Sequence, residues 1–322
     1  MRPREVYDIN KPVWFLAAAL AVAAAYAVRY EYAGGWDRYG PAPAEGEEAP
    51  VFMRPTRIAV GPDGTVYVTE DSAQGVYYFT PGGSYLGTLP PPPESESGYF
   101  GSYGVAVAAD GAVYVADHYD LRIVVYDAEH SYVTDWRTPP GKTRHFYSPI
   151  LEDVAVGAGG NIYVSYRSGA PIKKPHSVRI DCFTPAGSLV AHWVGSGYGI
   201  GVGPDGIVYV VDYDYNFIEY YGPRGHYNGL WGGGGSGPGE LQRPTDVAVA
   251  PDGAVFVADA GNYRVQYFTS SGRYLGQWGE RGKKAGQFGW ISALAVAPDG
   301  AVYVVDQGNG RIQYFKPVVR DG

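Results

Sequence analysis

A short phrase returns six times along this chain of 322 residues, and the glycine of its turn falls at positions 64, 111, 160, 206, 253 and 300. The intervals between those glycines are 47, 49, 46, 47 and 47 residues. The first copy reads Ile58-Ala-Val-Gly-Pro-Asp-Gly-Thr-Val-Tyr-Val-Thr-Glu70, and the last reads Leu294-Ala-Val-Ala-Pro-Asp-Gly-Ala-Val-Tyr-Val-Val-Asp306. A regular period of this length, made of short β-rich runs and tight turns, requires units that bury their faces against one another.

The fifth copy shows what one unit is. Val247-Ala-Val-Ala leads into Pro251-Asp-Gly253, where proline presets φ and glycine supplies the positive φ of a reversal. Ala254 to Ala258 returns as a second run whose β-branched and aromatic residues suit a pleated, buried surface. A third strand is expected over Arg264–Phe268 and, after Thr269-Ser-Ser-Gly272, a fourth over Tyr274–Trp278. Four short antiparallel strands per unit, six times over, predict an all-β, six-bladed β-propeller. The sixth unit runs out of chain before its fourth strand. Tyr32-Ala-Gly-Gly-Trp36 repeats the Tyr-x-Gly-x-Trp spacing of the other fourth strands, so the N-terminal segment is expected to complete the last blade and close the ring.

Two further patterns carry a resemblance. One is the glycine-rich linker Gly232-Gly-Gly-Gly-Ser-Gly-Pro-Gly-Glu-Leu241-Gln-Arg-Pro244 before a first strand. The other is the Asp-x-x-Asn-x-Arg loop, as Asp259, Asn262 and Arg264 and again as Asp306, Asn309 and Arg311. In these the chain resembles NHL-repeat propellers over about residues 30–317. Copy three departs, with Gly159-Gly160-Asn161 where the others have Asp-Gly. The recurrence of the Asp, Asn and Arg positions in several blades predicts loop bracing rather than catalysis.

Composition narrows the function. A net charge of −8 and a pI near 5.3 lack the positive footprint of a nucleic-acid surface, so no nucleic-acid partner is expected. The single cysteine, Cys182, excludes an internal disulfide and falls in a third strand, where a packing role is expected.

Residues 12–28 carry no charge, and as a helix they would span about 25 Å, the short end for a membrane crossing. Arg2, Arg4 and Lys11 precede them, which predicts the N-terminus inside and the propeller outside. Ala-x-Ala sites within the segment fit a cleaved signal as the rival reading. The absence of a spacer before the closing strand favours an anchor. The expected organisation is therefore an inner segment (1–11), a membrane span (12–29) and a propeller (30–322) on the periplasmic or extracellular side of the cytoplasmic membrane. Ala17, Ala21 and Ala25 form one row of small residues, and Ala19, Ala23 and Ala27 another. Either would let a second helix approach closely in lipid.

Strand alternation places the Pro-Asp-Gly turns on one rim, toward the membrane, and the linkers and second-to-third loops on the other. The irregular loops gather on that linker rim and supply the expected partner-binding residues Arg144, Arg167, Lys173 and Lys174. The resemblance also extends to lyases and lactone hydrolases of similar shape, which hold a metal in the central channel. That chemistry needs ligands converging from several blades. Of six histidines, only His118 is placed near the channel mouth, with Glu70, Asp71, Glu152, Asp153, Asp214 and Asp246 as neighbouring carboxylates. The sequence thus predicts a non-enzymatic, membrane-anchored interaction or scaffolding module, an accessory subunit among other membrane proteins, with no cofactor and no metal. The alternative is an exported lyase or lactone hydrolase using His118, Glu152, Asp153 and Asp246, with calcium or magnesium held by oxygen ligands.

Overall fold

The second strand of each unit explains the architecture. In five of the six units all five of its residues are buried, as in Val66–Glu70, Val113–Asp117 and Val302–Asp306. A strand buried on both faces needs a partner sheet on each side, and a ring of blades provides that for every unit without leaving an end. A computed structural model of the chain describes residues 28–39, 49–71, 75–93, 101–138, 149–168, 178–195 and 198–319, and shows six four-stranded antiparallel sheets. The first strands, nearest the axis, are Pro55–Val60, Ser102–Val107, Pro149–Val156, Ile200–Val202, Asp246–Val249 and Ile291–Val296.

The ring closes as expected from Tyr32-Ala-Gly-Gly-Trp36. Strand Val28–Trp36 pairs antiparallel with Arg311–Val319, with Tyr32 opposite Phe315 and Trp36 opposite Ile312. The strand is longer than its motif. It takes in Val28 and Arg29, opposite Val319 and Val318, two residues that the sequence reading gave to the end of the apolar span. The remainder of that span, with Ala17, Ala21 and Ala25, lies outside the described residues. Among the described residues no helix is long and apolar enough to cross a membrane.

Six apolar clusters fill the six blade boundaries, and the period-2 alternation of each strand divides its side chains between two of them. Val66 and Val68 pack toward blade six with Val305 and Ile312, whereas Tyr67 between them packs toward blade two with Val113 and Val115. The phenol of the same position crosses to the next blade's outer turn: Tyr303 donates to the carbonyl of Pro81, Tyr163 to that of Pro223 and Tyr209 to that of Ser270. Cys182 is fully buried in the cluster between blades three and four.

The tryptophans ending four of the fourth strands interlock with a glycine of the next blade. Trp36 lies against Gly83 of blade one, Trp136 against Gly187, Trp193 against Gly225 and Trp231 against Gly272; each of these glycines has positive φ and no room for a Cβ. Blade one ends instead in Leu89, and the matching turn of blade two carries His130 at φ 66°. His130 stacks on Tyr78 at 4.0 Å and its Nε2 lies 2.8 Å from the Tyr67 hydroxyl. With the smaller leucine in the outer strand, a side chain takes the place of the glycine.

Candidate functional site

One position of the first strand, just before the Ile/Val/Leu-Ala/Gly-Val run, brings Arg57, Asp153 and Asp246 to the axial cavity. Reading round the ring it is Arg57, Gly104, Asp153, Gly199, Asp246 and Ala293. Charged and small residues alternate, so three long side chains share a space that six could not enter. Asp153 accepts from its neighbour Val154 N at 2.9 Å and from Ile200 N of blade four at 3.2 Å. Asp246 makes the same pair of bonds to Val247 N and, across the boundary to blade six, Leu294 N, both at 2.9 Å. Gly199 lies so close to Asp246 that a side chain there would strike its carboxylate.

Arg57 sits between the two aspartates. Its Nε lies 3.5 Å from Asp153 Oδ2, and one terminal nitrogen donates to the carbonyl of Ser292 in blade six. Burial alone would lower the guanidinium pKa, but Asp153 and Asp246 raise it. Burial pushes both carboxyls up; the charge of Asp153 pushes Asp246 further, while Arg57 draws Asp153 back. From this charged floor a cavity of about 160 Å³ runs along the axis, lined by the half-buried Val60, Val107, Val156, Val202, Val249 and Val296.

The second group lies on the linker rim at blades one and two. Tyr103 donates to Asp71 Oδ1 at 3.3 Å, and the largely exposed Arg54 pairs with Asp71 Oδ2 at 3.0 Å. His118 packs on the Tyr103 ring at 5.0 Å, with Tyr119, 57% exposed, beside it. Burial raises the Tyr103 pKa, and the charges of Asp71 and the buried Glu152 add to the shift. The geometry can present aromatic faces and a paired guanidinium to a polar partner.

The expected catalytic set therefore falls into two groups. His118 meets Tyr103 and Tyr119, whereas Asp153 and Asp246 meet Arg57 and backbone N–H groups. Glu70 is a brace and no ligand candidate: its Oε1 accepts from Met53 N and from Arg54 N at 2.9 Å. Asp214 is exposed, and its backbone N–H donates to Asp212. Among the described residues no three His, Cys, Asp or Glu side chains are grouped to hold a metal. Of the expected partner-binding residues, Arg167 lies in strand Ile162–Ser168 opposite Val178. Arg144, Lys173 and Lys174 lie outside the described residues.

The Asp-x-x-Asn-x-Arg loops do brace. Asp259 accepts from Gln242 N, Asn262 and Arg264, and the Arg264 guanidinium donates onward to the carbonyls of Ser236, Gly237 and Glu240. Gln266, not singled out in the sequence, completes the unit by bonding Asp259 and the Glu240 carbonyl. Asp306, Asn309, Arg311 and Gln313 repeat it in blade six.

Residues 241–268, which hold the end of this linker and the Asp259 loop, match the NHL repeat. The chain carries an NHL repeat within a six-bladed propeller. No curated protein matches it in sequence. Among solved structures it is similar to a streptogramin B lyase at 13% identity and TM-score 0.58, covering 92% of this chain and 99% of that one. A gluconolactonase from Xanthomonas campestris aligns at 15% identity and TM-score 0.62, over 89% of this chain and 99% of that one. Hydrazine synthase from Kuenenia stuttgartiensis aligns at 12% identity and TM-score 0.57, over 87% and 100%. At these identities the likeness is one of fold.

Proposed function

We propose that this propeller is a non-enzymatic interaction module, held outside the cytoplasmic membrane by its N-terminal segment as an accessory subunit of a membrane assembly. The observation that carries the reading is the employment of Asp153 and Asp246. Each spends its carboxylate on backbone donors of two adjacent blades, which fastens the ring rather than holding an open ligand position. What the linker rim presents outward is recognition chemistry: Arg54, Tyr119 and Tyr215 are well exposed on its loops. Strand Val28–Trp36 starts on the Pro-Asp-Gly rim, opposite Val319, so an anchor preceding it leaves from that rim and turns the aromatic rim away from the membrane.

The test is purification from gently solubilised membranes, followed by identification of co-migrating subunits. The Ala17→Leu/Ala21→Leu or the Ala19→Leu/Ala23→Leu variant is expected to stay in the membrane but lose the partners. A protein that migrates alone, or one found in the soluble fraction with its N-terminus removed, overturns the reading.

A second reading rests on the contact of His118 with Tyr103, in the field of Glu152, and on the likeness to lyase and gluconolactonase structures. It makes the channel mouth a lyase or lactone hydrolase site. Turnover of a streptogramin B or a sugar lactone that is lost in His118→Ala would establish it.

A further inference from the structure

Blade six ends differently from the others. In blades one to five the third strand stops at a turn closed by a backbone bond, such as Gly83 N to the Thr80 carbonyl or Gly272 N to that of Thr269. In blade six the third strand, Arg311–Val319, makes no such turn and runs straight on, because its partner is Val28–Trp36. The second strand is left behind at Val302, opposite Phe315. Beyond that point only Val28–Glu31 and Lys316–Val319 remain, paired from Glu31 with Lys316 to Val28 with Val319. This two-stranded ribbon projects from the Pro-Asp-Gly rim roughly two residues, or about 7 Å, farther than the apex of a turn. One side of it is held: Tyr30 stacks on Trp278 of blade five at 4.8 Å and meets Phe256 and Tyr267 edge-on, and the Tyr267 hydroxyl donates to the Val28 carbonyl at 2.7 Å. The other side is bare. Strand alternation puts Arg29, Glu31, Lys316 and Val318 there, and all four are exposed.

We propose that this ribbon is a foot resting in the headgroup layer of an anionic bilayer, with Arg29 and Lys316 on lipid phosphates and Val318 at the acyl boundary. The propeller then stands tilted on blade six. The inference rests on the membrane-anchored reading above and adds to it the surface that meets the lipid. Its own observation is the clamp. The uncharged stretch of the sequence runs up to Val28, and the backbone of Val28 is already bonded to blade five, so a span over that stretch leaves no slack before the ribbon. Arg29 and Lys316 then lie within a Debye length of the leaflet, where each basic side chain is attracted to anionic lipid. Their alkyl stems can lie along apolar surface while the charged heads stay at the phosphates. The rest of the rim offers lipid no such contact. Asp63, Asp110, Asp205, Asp252 and Asp299 put a carboxylate on five of the six turns, which an anionic leaflet would repel if the rim lay flat.

The test is spin labelling of the full chain in vesicles of phosphatidylcholine and phosphatidylglycerol in equal parts. A nitroxide is placed by Val318→Cys or, on the turn of blade three across the ring, by Ala186→Cys; the native thiol, Cys182, is fully buried. The label at 318 is expected to lose most of its collisions with an aqueous nickel chelate and to gain collisions with oxygen, while the label at 186 stays aqueous. Adding Arg29→Ala and Lys316→Ala should raise the nickel accessibility at 318 by about fivefold or more without releasing the protein from the vesicles. A vesicle-bound protein whose label at 318 is as aqueous as that at 186 overturns the foot and leaves the anchor standing. Shielding of both labels overturns the tilt, and shielding at 318 that is unchanged in the double variant overturns the assignment to lipid phosphates. A chain that does not associate with the vesicles at all overturns the anchored reading, and the foot with it.

Discussion

The Nε of Arg57 in blade one lies 3.5 Å from Oδ2 of Asp153 in blade three, a pairing that passes over blade two. Neighbouring blades are joined by apolar packing along their full faces, but this contact links blades that do not touch side by side. Together with the bonds from Asp153 to blade four and from Asp246 to blade six, it ties the ring through its middle as well as round its circumference.

Asp246 gives this clasp a pH dependence. Its carboxyl is pushed up from 3.8 to about 7, first by burial and then by the charge of Asp153. A carboxyl with a raised folded-state pKa binds its proton more tightly when folded, so stability falls as pH rises through that window and levels off above it. Denaturant unfolding between pH 5 and pH 8 should show that decline in the parent and a smaller one in Asp246→Asn, whatever constant offset the amide brings.

The brace around Asp259 should be costly to break. Arg264 is buried and spends its donors on Asp259, Gln277 and three linker carbonyls. Arg264→Ala leaves Asp259 buried without its cation and is expected to destabilise by about 3–5 kcal/mol in equilibrium unfolding. Arg311→Ala should cost less, because its side chain is 21% exposed against 6% for Arg264.

Gly83 and Trp36 should behave as a coupled pair. Gly83→Ala puts a Cβ into the Trp36 indole at a φ of 89° that alanine disfavours. The single change should destabilise, and Trp36→Leu should relieve part of the loss, mirroring Leu89 with His130. A double-mutant cycle is expected to return a coupling of about 1 kcal/mol, and strict additivity would refute the interlock.

Cys182 should be silent in the native protein. It is fully buried and burial raises its thiol pKa, so thiolate is scarce and inaccessible. Labelling by a thiol reagent is expected only at the rate of unfolding. Rapid native labelling would show that the boundary between blades three and four opens.

Most of the fold was legible because a propeller repeats its instructions. The Pro-Asp-Gly turns, the third strands and the orphan Tyr32–Trp36 could each be read against five other copies. The site was not legible in that way. Arg57 was passed over because the column it heads, with Gly104, Asp153, Gly199, Asp246 and Ala293, has no common residue type, and alternation between charged and small shows only when the blades stand in a ring. Glu70 was misplaced among ligand candidates because a carboxylate that caps Met53 and Arg54 looks, in one dimension, like one pointing into the channel. Gln266 and Gln313 were missed because a glutamine in a strand carries no turn or charge signal until its bonds to Asp259 and Asp306 are seen.

The pairing of Val28–Trp36 with Arg311–Val319 also dictates an order of events. On a ribosome the first of these strands emerges before any blade exists, and its partner follows only after five blades have been made. Until then the strand has no sheet to join, and blade six offers three strands to a gap. The loop to be closed takes in five whole blades, so its closure carries a high entropic barrier, although those blades, once folded, hold the two strands near each other and lower it. During synthesis the opening therefore stays unzipped longest at the seam between these two strands, where a chaperone or an assembly partner would have the most time to act.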